Sequence, residues 1–300
     1  MLKVTLLGCS GVMPTKDRFL TSLYLQYKNK TFLIDCGEGC QIAIQNAGLS
    51  FFSIDVICIT HFHGDHILGL PGLLMTMSLH QRKDPVTIIG PRGIRQVVET
   101  ICRFSAITFP ISYQEVYDWT CVFQEDGLRI SGISLDHNVV CFGYKFEVER
   151  RPKFDKEMAL ALEIPVQHWK KLQNGEMVKD GDTVWYPEDV TGEPRKGLSL
   201  VYATDTRPSQ HLSDLIRDVD LFIGEAMYED DTASARERKH STAMETVWMA
   251  NQANVHELWL THFSPSFINP NEVESRVQEV LANTTMGYNG LNKDLVFTEE

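Results

Sequence analysis

The sequence contains no run of 18 or more apolar residues, so no membrane-spanning helix is expected. Its opening residues, Met1 to Gly8, lack the long apolar stretch and small-residue cleavage site of a secretion signal and read as a first strand. There is no C-x-x-C pair. The seven cysteines are odd in number and mostly lie inside apolar runs, which excludes a disulfide framework and suits reduced, buried thiols in a cytoplasmic protein. Repeats and low-complexity tracts are also missing. Basic residues are scarce: 28 Lys+Arg stand against 40 Asp+Glu, and a net charge of −12 argues against a general nucleic-acid binder. That deficit is local. From Asp220 onward 14 acidic residues face 5 basic ones, whereas Arg150–Lys179 holds 7 basic and 4 acidic residues.

What the chain does have is an alternation of short β-branched runs and helical patterns. Strands are expected at Lys3–Leu7, Ser22–Tyr27, Thr31–Asp35, Val56–Thr60, Val86–Ile89, Leu128–Leu135, Gly143–Glu147, Leu198–Thr204, Leu221–Gly224 and Glu257–Thr261. Helices are expected at Gly39–Ala47, Leu68–Leu79, Gly93–Phe104, Ser209–Asp218, Thr242–Asn254 and Glu272–Ala282, with Thr242 and Glu245 spaced as a capping box. The mixture indicates a layered α/β fold. Between about Arg150 and Lys196 the apolar periodicity fades, prolines recur, and Trp169, Trp185 and Tyr186 look exposed. This stretch reads as a long insertion projecting from one domain, with a helix near Lys156–Glu163.

The strongest chemical signal is Thr60-His61-Phe62-His63-Gly64-Asp65-His66, directly after an apolar strand. Three imidazoles and a carboxylate this close are costly to bury unpartnered and natural as metal donors. Their placement round a turn suits two neighbouring ions better than one. Further donors recur in one context: His137, Asp205 and His262 each follow a buried-looking strand.

H-x-H-x-D-H followed by separate His, Asp and His resembles the metallo-β-lactamase superfamily, which implies an αββα sandwich with a dinuclear zinc site at the sheet edge. The resemblance implies that His61, His63 and His137 hold one Zn²⁺, that Asp65, His66 and His262 hold the other, that Asp205 bridges them, and that Asp35 supports the ligand loops. Within the superfamily the chain is most similar to the ribonuclease Z family, the tRNA 3′-processing endonucleases. The matching stretches include Gly64-Asp65-His66-Ile67 running into Gly69-Leu70-Pro71-Gly72, then Asp205-Thr206-Arg207-Pro208, Glu225-Ala226, His240-Ser241-Thr242 and Thr261-His262-Phe263. It departs from the family pattern at Phe19, Thr204 and Gly224.

This resemblance implies cleavage of precursor tRNA on the 3′ side of the discriminator base, a homodimer, and residues 150–196 as a tRNA-binding arm; the nitrogen and oxygen donors themselves accept Mn²⁺ as well as Zn²⁺. Asp65 is then the proton acceptor and His240 the acid for the leaving oxygen, oriented by Glu225. Lys16, Arg18, Arg207, Lys153, Lys170 and Lys171 are the expected substrate contacts. The competing reading is a dinuclear-zinc phosphodiesterase acting on small nucleotides, which leaves the insertion without a purpose. A non-catalytic RNA-binding module would have no need of all seven donors.

Overall fold

A computed structural model describes residues 1–298. The chain divides into two compact units, one of Met1–Glu147 with Ser199–Val296, the other of Val148–Leu198 with the chain end from Phe297.

The first unit holds two seven-stranded sheets. One runs in the order Leu291–Leu295, Leu2–Gly8, Ser22–Tyr27, Lys30–Ile34, Val56–Cys58, Val86–Gly90, Ile111–Glu115. Its first pairs are antiparallel, and from Lys30–Ile34 onward it is parallel. The other runs Thr284–Met286, Leu258–Thr261, Leu221–Glu225, Leu198–Ala203, Phe142–Val148, Leu128–Ser134, Thr120–Glu125. Its strands from Leu198–Ala203 to Thr284–Met286 are parallel. The sheets meet face to face through aromatic side chains: Phe32 lies edge-on to Phe123 and Phe146, with ring centres 5.0 and 6.2 Å apart.

Parallel strands are buried on both faces, which is why Val56–Cys58 and Leu221–Glu225 are buried at every position. Their outer faces are covered by helices. Cys40–Asn46, Leu70–Leu79 and Ile94–Ile101 pack Ile44, Leu73, Leu74, Met77 and Val98 onto Leu33, Ile57 and Ile88. Ala243–Gln252 covers the second sheet beside Glu274–Val280. Thr242 and Glu245 form the expected capping box. The αββα architecture expected from the motifs is therefore the one found.

The differences have physical reasons. The pattern did not predict Ile111–Glu115 or Leu291–Leu295, which lie at the two edges of one sheet. Asn292, Lys293 and Asp294 are exposed, so this strand forms by pairing with Leu2–Leu6 and carries no apolar run of its own. Thr120–Glu125 and Thr284–Met286, also unpredicted, are edge strands of the other sheet. The helix expected at Leu68–Leu79 begins at Leu70, after a separate turn of helix at Gly64–Ile67. Thr232–Arg238 is a further helix the periodicity missed, capped at its start by the Asp231 side chain.

The second unit has the helix expected near Lys156–Glu163, at Lys156–Ala161, and more regular structure than the faded periodicity indicated. It also contains the helix Val166–Gln173 and a hairpin of Val178–Asp180 with Thr183–Trp185. Ala159, Ile164, Leu172, Val178 and Val190 form its own small core, with Phe154, Trp169 and Trp185 packed against it. Trp169 and Trp185 are thus partly buried, and only Tyr186 of the three aromatics is fully at the surface. The pattern faded because five buried side chains spread over some thirty residues leave no helical or strand period to read.

Candidate metal centre

Six functional side chains leave the C-terminal ends of strands in the first unit. Asp35 follows Lys30–Ile34, His61 follows Val56–Cys58, His137 follows Leu128–Ser134, Asp205 follows Leu198–Ala203, Glu225 ends Leu221–Glu225, and His262 follows Leu258–Thr261. Five of these strands pair in parallel, which brings their ends to one edge, where α/β sheets bind ligands, whereas Leu128–Ser134 pairs antiparallel with Thr120–Glu125. Asp35, Asp205 and His262 have φ values of 60°, 54° and 62°, the left-handed region non-glycine residues rarely enter. The same backbone reversal at three strand ends turns each side chain into the site.

His63, Asp65 and His66 come from the turn that opens with Gly64–Ile67. Two glycines let this turn seat tightly. A Cβ at Gly37 would fall 2.1 Å from the Asp65 carbonyl oxygen, and one at Gly69 would fall 1.9 Å from that of Gly37.

The candidate donors form three overlapping groups: His61, His63, His137 and Asp205; Asp65, His66 and His262; and Asp205, Glu225, His240 and His262. Asp65 Oδ2, His66 Nε2, His262 Nε2 and Asp205 Oδ2 surround a point: His66 Nε2 lies 3.2 Å from His262 Nε2 and from Asp205 Oδ2, His262 Nε2 lies 3.2 Å from Asp205 Oδ2, and Asp65 Oδ2 is 3.4 and 3.5 Å from the two imidazoles. A tetrahedron with zinc-to-ligand distances of about 2.0–2.1 Å has edges of about 3.3–3.4 Å, and these five separations are of that size. In the group of His61, His63 and His137, His61 Nε2 and His137 Nε2 lie 3.9 and 3.8 Å from Asp205 Oδ1, and His63 Nδ1 is 3.5 Å from His137 Nε2. Asp205 faces the Asp65, His66 and His262 set with Oδ2 and the His61, His63 and His137 set with Oδ1, an arrangement that allows a carboxylate to bridge two ions.

Two further observations fit a cation. His61 Nε2 and Asp205 Oδ2 are buried with no hydrogen-bond partner among the described residues, a cost that coordination would remove. The field inside is also strongly negative. Burial opposes charging His66 and His262, yet the surrounding carboxylates, Asp205 foremost, outweigh it; they raise His66 well above its usual value and His262 to about 10. Burial likewise opposes ionising Asp65 and Asp205, but the neighbouring imidazoles hold both far below the carboxylate range. The cluster calls for positive charge, which divalent ions provide while leaving the imidazoles neutral.

The far ring nitrogens are fixed as metal-binding histidines require. His66 Nδ1 lies 2.8 Å from Asp35 Oδ2, His262 Nδ1 lies 3.0 Å from Glu225 Oε1, and His137 Nδ1 lies 3.1 Å from the Lys239 carbonyl oxygen. The fully buried Asp35 also accepts from the Thr60 amide and hydroxyl, so it ties the first ligand strand to the helical turn.

The sequence missed two contributions here. Glu225, read only as a partner of His240, contacts His240 Nδ1 at 2.7 Å and the candidate donor His262 with the same oxygen, and accepts the Ser241 amide with the other. The Val12 amide donates to Asp65 Oδ2 at 2.7 Å, and Gly11 lies so close that a Cβ there would strike the His262 ring. A backbone amide leaves no signature in residue types, so nothing in the sequence flagged Val12.

The expected substrate contacts lie in three places. Lys16 is exposed, and Arg18 donates to the Phe267 carbonyl; both line a cavity of about 450 Å³ with Asn269, Tyr288 and Asn289. Lys153, Lys170 and Lys171 are exposed on the second unit. Arg207 is instead half-buried, with both terminal nitrogens on the Glu245 carboxylate.

Comparison with known proteins decides the family. A family model of the anti-Pycsar protein Apyc1 matches residues 2–102. Over almost the whole chain the sequence is 44% identical to a ribonuclease Z from Alkaliphilus oremlandii, with 99% of each protein covered. This chain belongs to the ribonuclease Z family. Like that family it is a metal-dependent endoribonuclease of tRNA 3′-end processing. The fold agrees. The short form of human tRNase Z superposes with a TM-score of 0.70 at 22% identity, covering 98% of this chain and 100% of that one. The metallo-β-lactamase fold protein YhfI from Bacillus subtilis reaches 0.70 at 16% identity, covering 97% and 98%.

Proposed function

We propose that this ribonuclease Z holds two Zn²⁺ ions, one on His61, His63 and His137 and one on Asp65, His66 and His262, bridged by Asp205, and cuts precursor tRNA directly 3′ of the discriminator base. The observation that carries the metal assignment is the four-atom cage of Asp65, His66, His262 and Asp205, in which the two imidazoles stand 3.2–3.5 Å from each other and from both carboxylates. The same nitrogen and oxygen donors accept Mn²⁺. Bound there, such ions supply Lewis acidity toward a phosphoryl oxygen and make water acidic enough to be a nucleophile near neutral pH.

The chain's own groups handle the protons. Water adds to phosphorus as the bond from phosphorus to the discriminator's O3′ breaks, and the bonding pair stays on O3′. Asp65 accepts the proton that water gives up. His240 Nε2 delivers a proton to O3′, which would otherwise leave as a poor alkoxide. His240 is suited to this because its Nδ1 is held by the buried Glu225. Its ring also lies beside the ligand rings, 5.1 Å from His137 and 5.9 Å from His262. Glu225 therefore orients the acid and a metal ligand together.

Residues 150–196 grip the tRNA body in this reading, with Lys153, Lys170 and Lys171 on phosphates and Lys16 and Arg18 near the acceptor end. Such contacts position the substrate without reading sequence. A homodimer and a cytoplasmic location complete the proposal; among the described residues no helix is long and apolar enough to cross a membrane. Incubation with a trailer-bearing precursor tRNA, with the cut mapped at nucleotide resolution, tests the cleavage site. Atomic spectroscopy of the purified protein tests the two-zinc content.

A further inference from the structure

We infer that Arg207, together with Glu245, is a positioning pair that fixes the loop carrying His240, and is not a contact for substrate phosphate. The inference rests on the reading of His240 as the acid.

Two strand-end loops and the segment between the helices Thr232–Arg238 and Ala243–Gln252 meet at Arg207. Its amide donates to the Asp136 carbonyl, next to the ligand His137. One guanidinium nitrogen donates both to the His240 carbonyl oxygen, at 2.5 Å, and to Glu245 Oε2, at 2.8 Å. The other donates to Glu245 Oε1, so the fork grips the carboxylate with two parallel bonds. Glu245 at the same time accepts the Thr242 amide in the capping box of Ala243–Gln252. Residues 239–242 are thus pinned in sequence. The Lys239 carbonyl accepts from His137, the His240 carbonyl from Arg207, the Ser241 amide donates to Glu225 and its hydroxyl to the Thr206 carbonyl, and Thr242 is boxed by Glu245.

Three of the five N–H donors of this guanidinium are engaged. They point at the Glu245 carboxylate and the His240 carbonyl, and the side chain is only 15% exposed. Glu245 is held below its usual range: burial opposes this, and the bond from Arg207 outweighs it, with help from the Thr242 amide. The pair therefore acts on the reaction through the direction of the His240 ring. A misdirected acid slows only departures that need a proton. Loss of O3′ from a ribonucleotide needs one, whereas p-nitrophenolate leaves without it.

The test compares the holoenzyme with Arg207→Ala, Arg207→Lys, Glu245→Gln and His240→Ala on precursor tRNA and on bis(p-nitrophenyl) phosphate, with zinc content and thermal unfolding recorded for each. Glutamine at 245 preserves the capping box while removing the ion pair, so this variant carries the test if Arg207→Ala fails to fold. The expected result for Arg207→Ala is a kcat on precursor tRNA lower by about tenfold or more, a KM within about twofold, and aryl turnover within about threefold, since a misplaced acid forfeits part of the 10²–10⁴-fold such a group supplies. Arg207→Lys should resemble alanine, because an ammonium keeps the charge and loses the fork. A raised KM that lysine restores would overturn the inference in favour of a phosphate contact. Equal losses on both substrates for Arg207→Ala, with His240→Ala selective for tRNA, would overturn the inference alone. Equal losses for His240→Ala would overturn the acid assignment and the inference with it.

Discussion

The two units spend their side chains differently. In the first, polar groups are buried and bonded to one another: Asp35, His61, His66, Asp205, Glu225 and His262 are almost fully shielded from solvent. In the second, five apolar residues form a small core, and the lysines stand outside it. Hydrolysis needs donors fixed before substrate arrives, because preorganisation is what makes electrostatic stabilisation effective. Gripping a phosphate backbone needs only accessible cations on a stable support. Damage to the first unit should therefore remove chemistry, and damage to the second should weaken binding.

The largest expected effect is from Asp65→Ala. This change deletes a donor of the four-atom cage and the proposed proton acceptor, so cleavage should fall by about 10³-fold or more, as measured by single-turnover kinetics, with zinc content lowered in the same preparation. His240→Ala comes next. It should lower kcat on precursor tRNA by about 10²–10⁴-fold while leaving zinc content unchanged, because His240 is proposed as the acid and not as a ligand. A variant that loses its zinc would place His240 among the ligands and blur the division between chemistry and support.

The second unit gives smaller effects of another kind. Leu172 is fully buried in its core, so Leu172→Ala should destabilise the unit by about 2–5 kcal/mol. Hydrogen exchange over 148–198 should show this opening, with KM for precursor tRNA raised and turnover of an aryl phosphodiester unchanged. Lys170→Ala with Lys171→Ala should weaken tRNA binding and reduce the salt slope of log K by about one for each phosphate that the lysines no longer neutralise.

The smallest effect concerns the thiols. Burial pushes Cys9 up to about 12 and Cys102 up to about 11, with Arg18 pulling Cys9 slightly the other way. A thiol with a raised pKa stays protonated and unreactive below it. Labelling of the native protein with a thiol reagent near pH 8 should therefore mark the half-buried Cys121 first and the other six only on unfolding.

How much of this was legible varied with the physics. The seven candidate donors, Glu225 and His240, which the structure brings together, could be picked out because each occupies a strand end or a turn within a motif, and the motifs survive in the sequence whatever the packing. The parallel strands were readable as continuous apolar runs. Edge strands such as Leu291–Leu295 were not, because half of their residues face solvent. The internal order of the second unit was not, because Ala159, Ile164 and Leu172 meet only in three dimensions. Arg207 shows a third limit. A lone arginine beside a metal ligand reads as a phosphate contact, and only the half-buried Glu245 38 residues away shows where its guanidinium points.

The most direct test is cleavage of a precursor tRNA carrying a 3′ trailer, with and without a chelator, by the protein and by its Asp65→Ala variant. The expected result is a single cut directly after the discriminator base, abolished by the chelator, restored by added Zn²⁺ or Mn²⁺, and absent in the variant. Cleavage that persists in metal-stripped protein, or turnover confined to small phosphodiesters with precursor tRNA left intact, would contradict a metal-dependent tRNA 3′-endonuclease built on these donors.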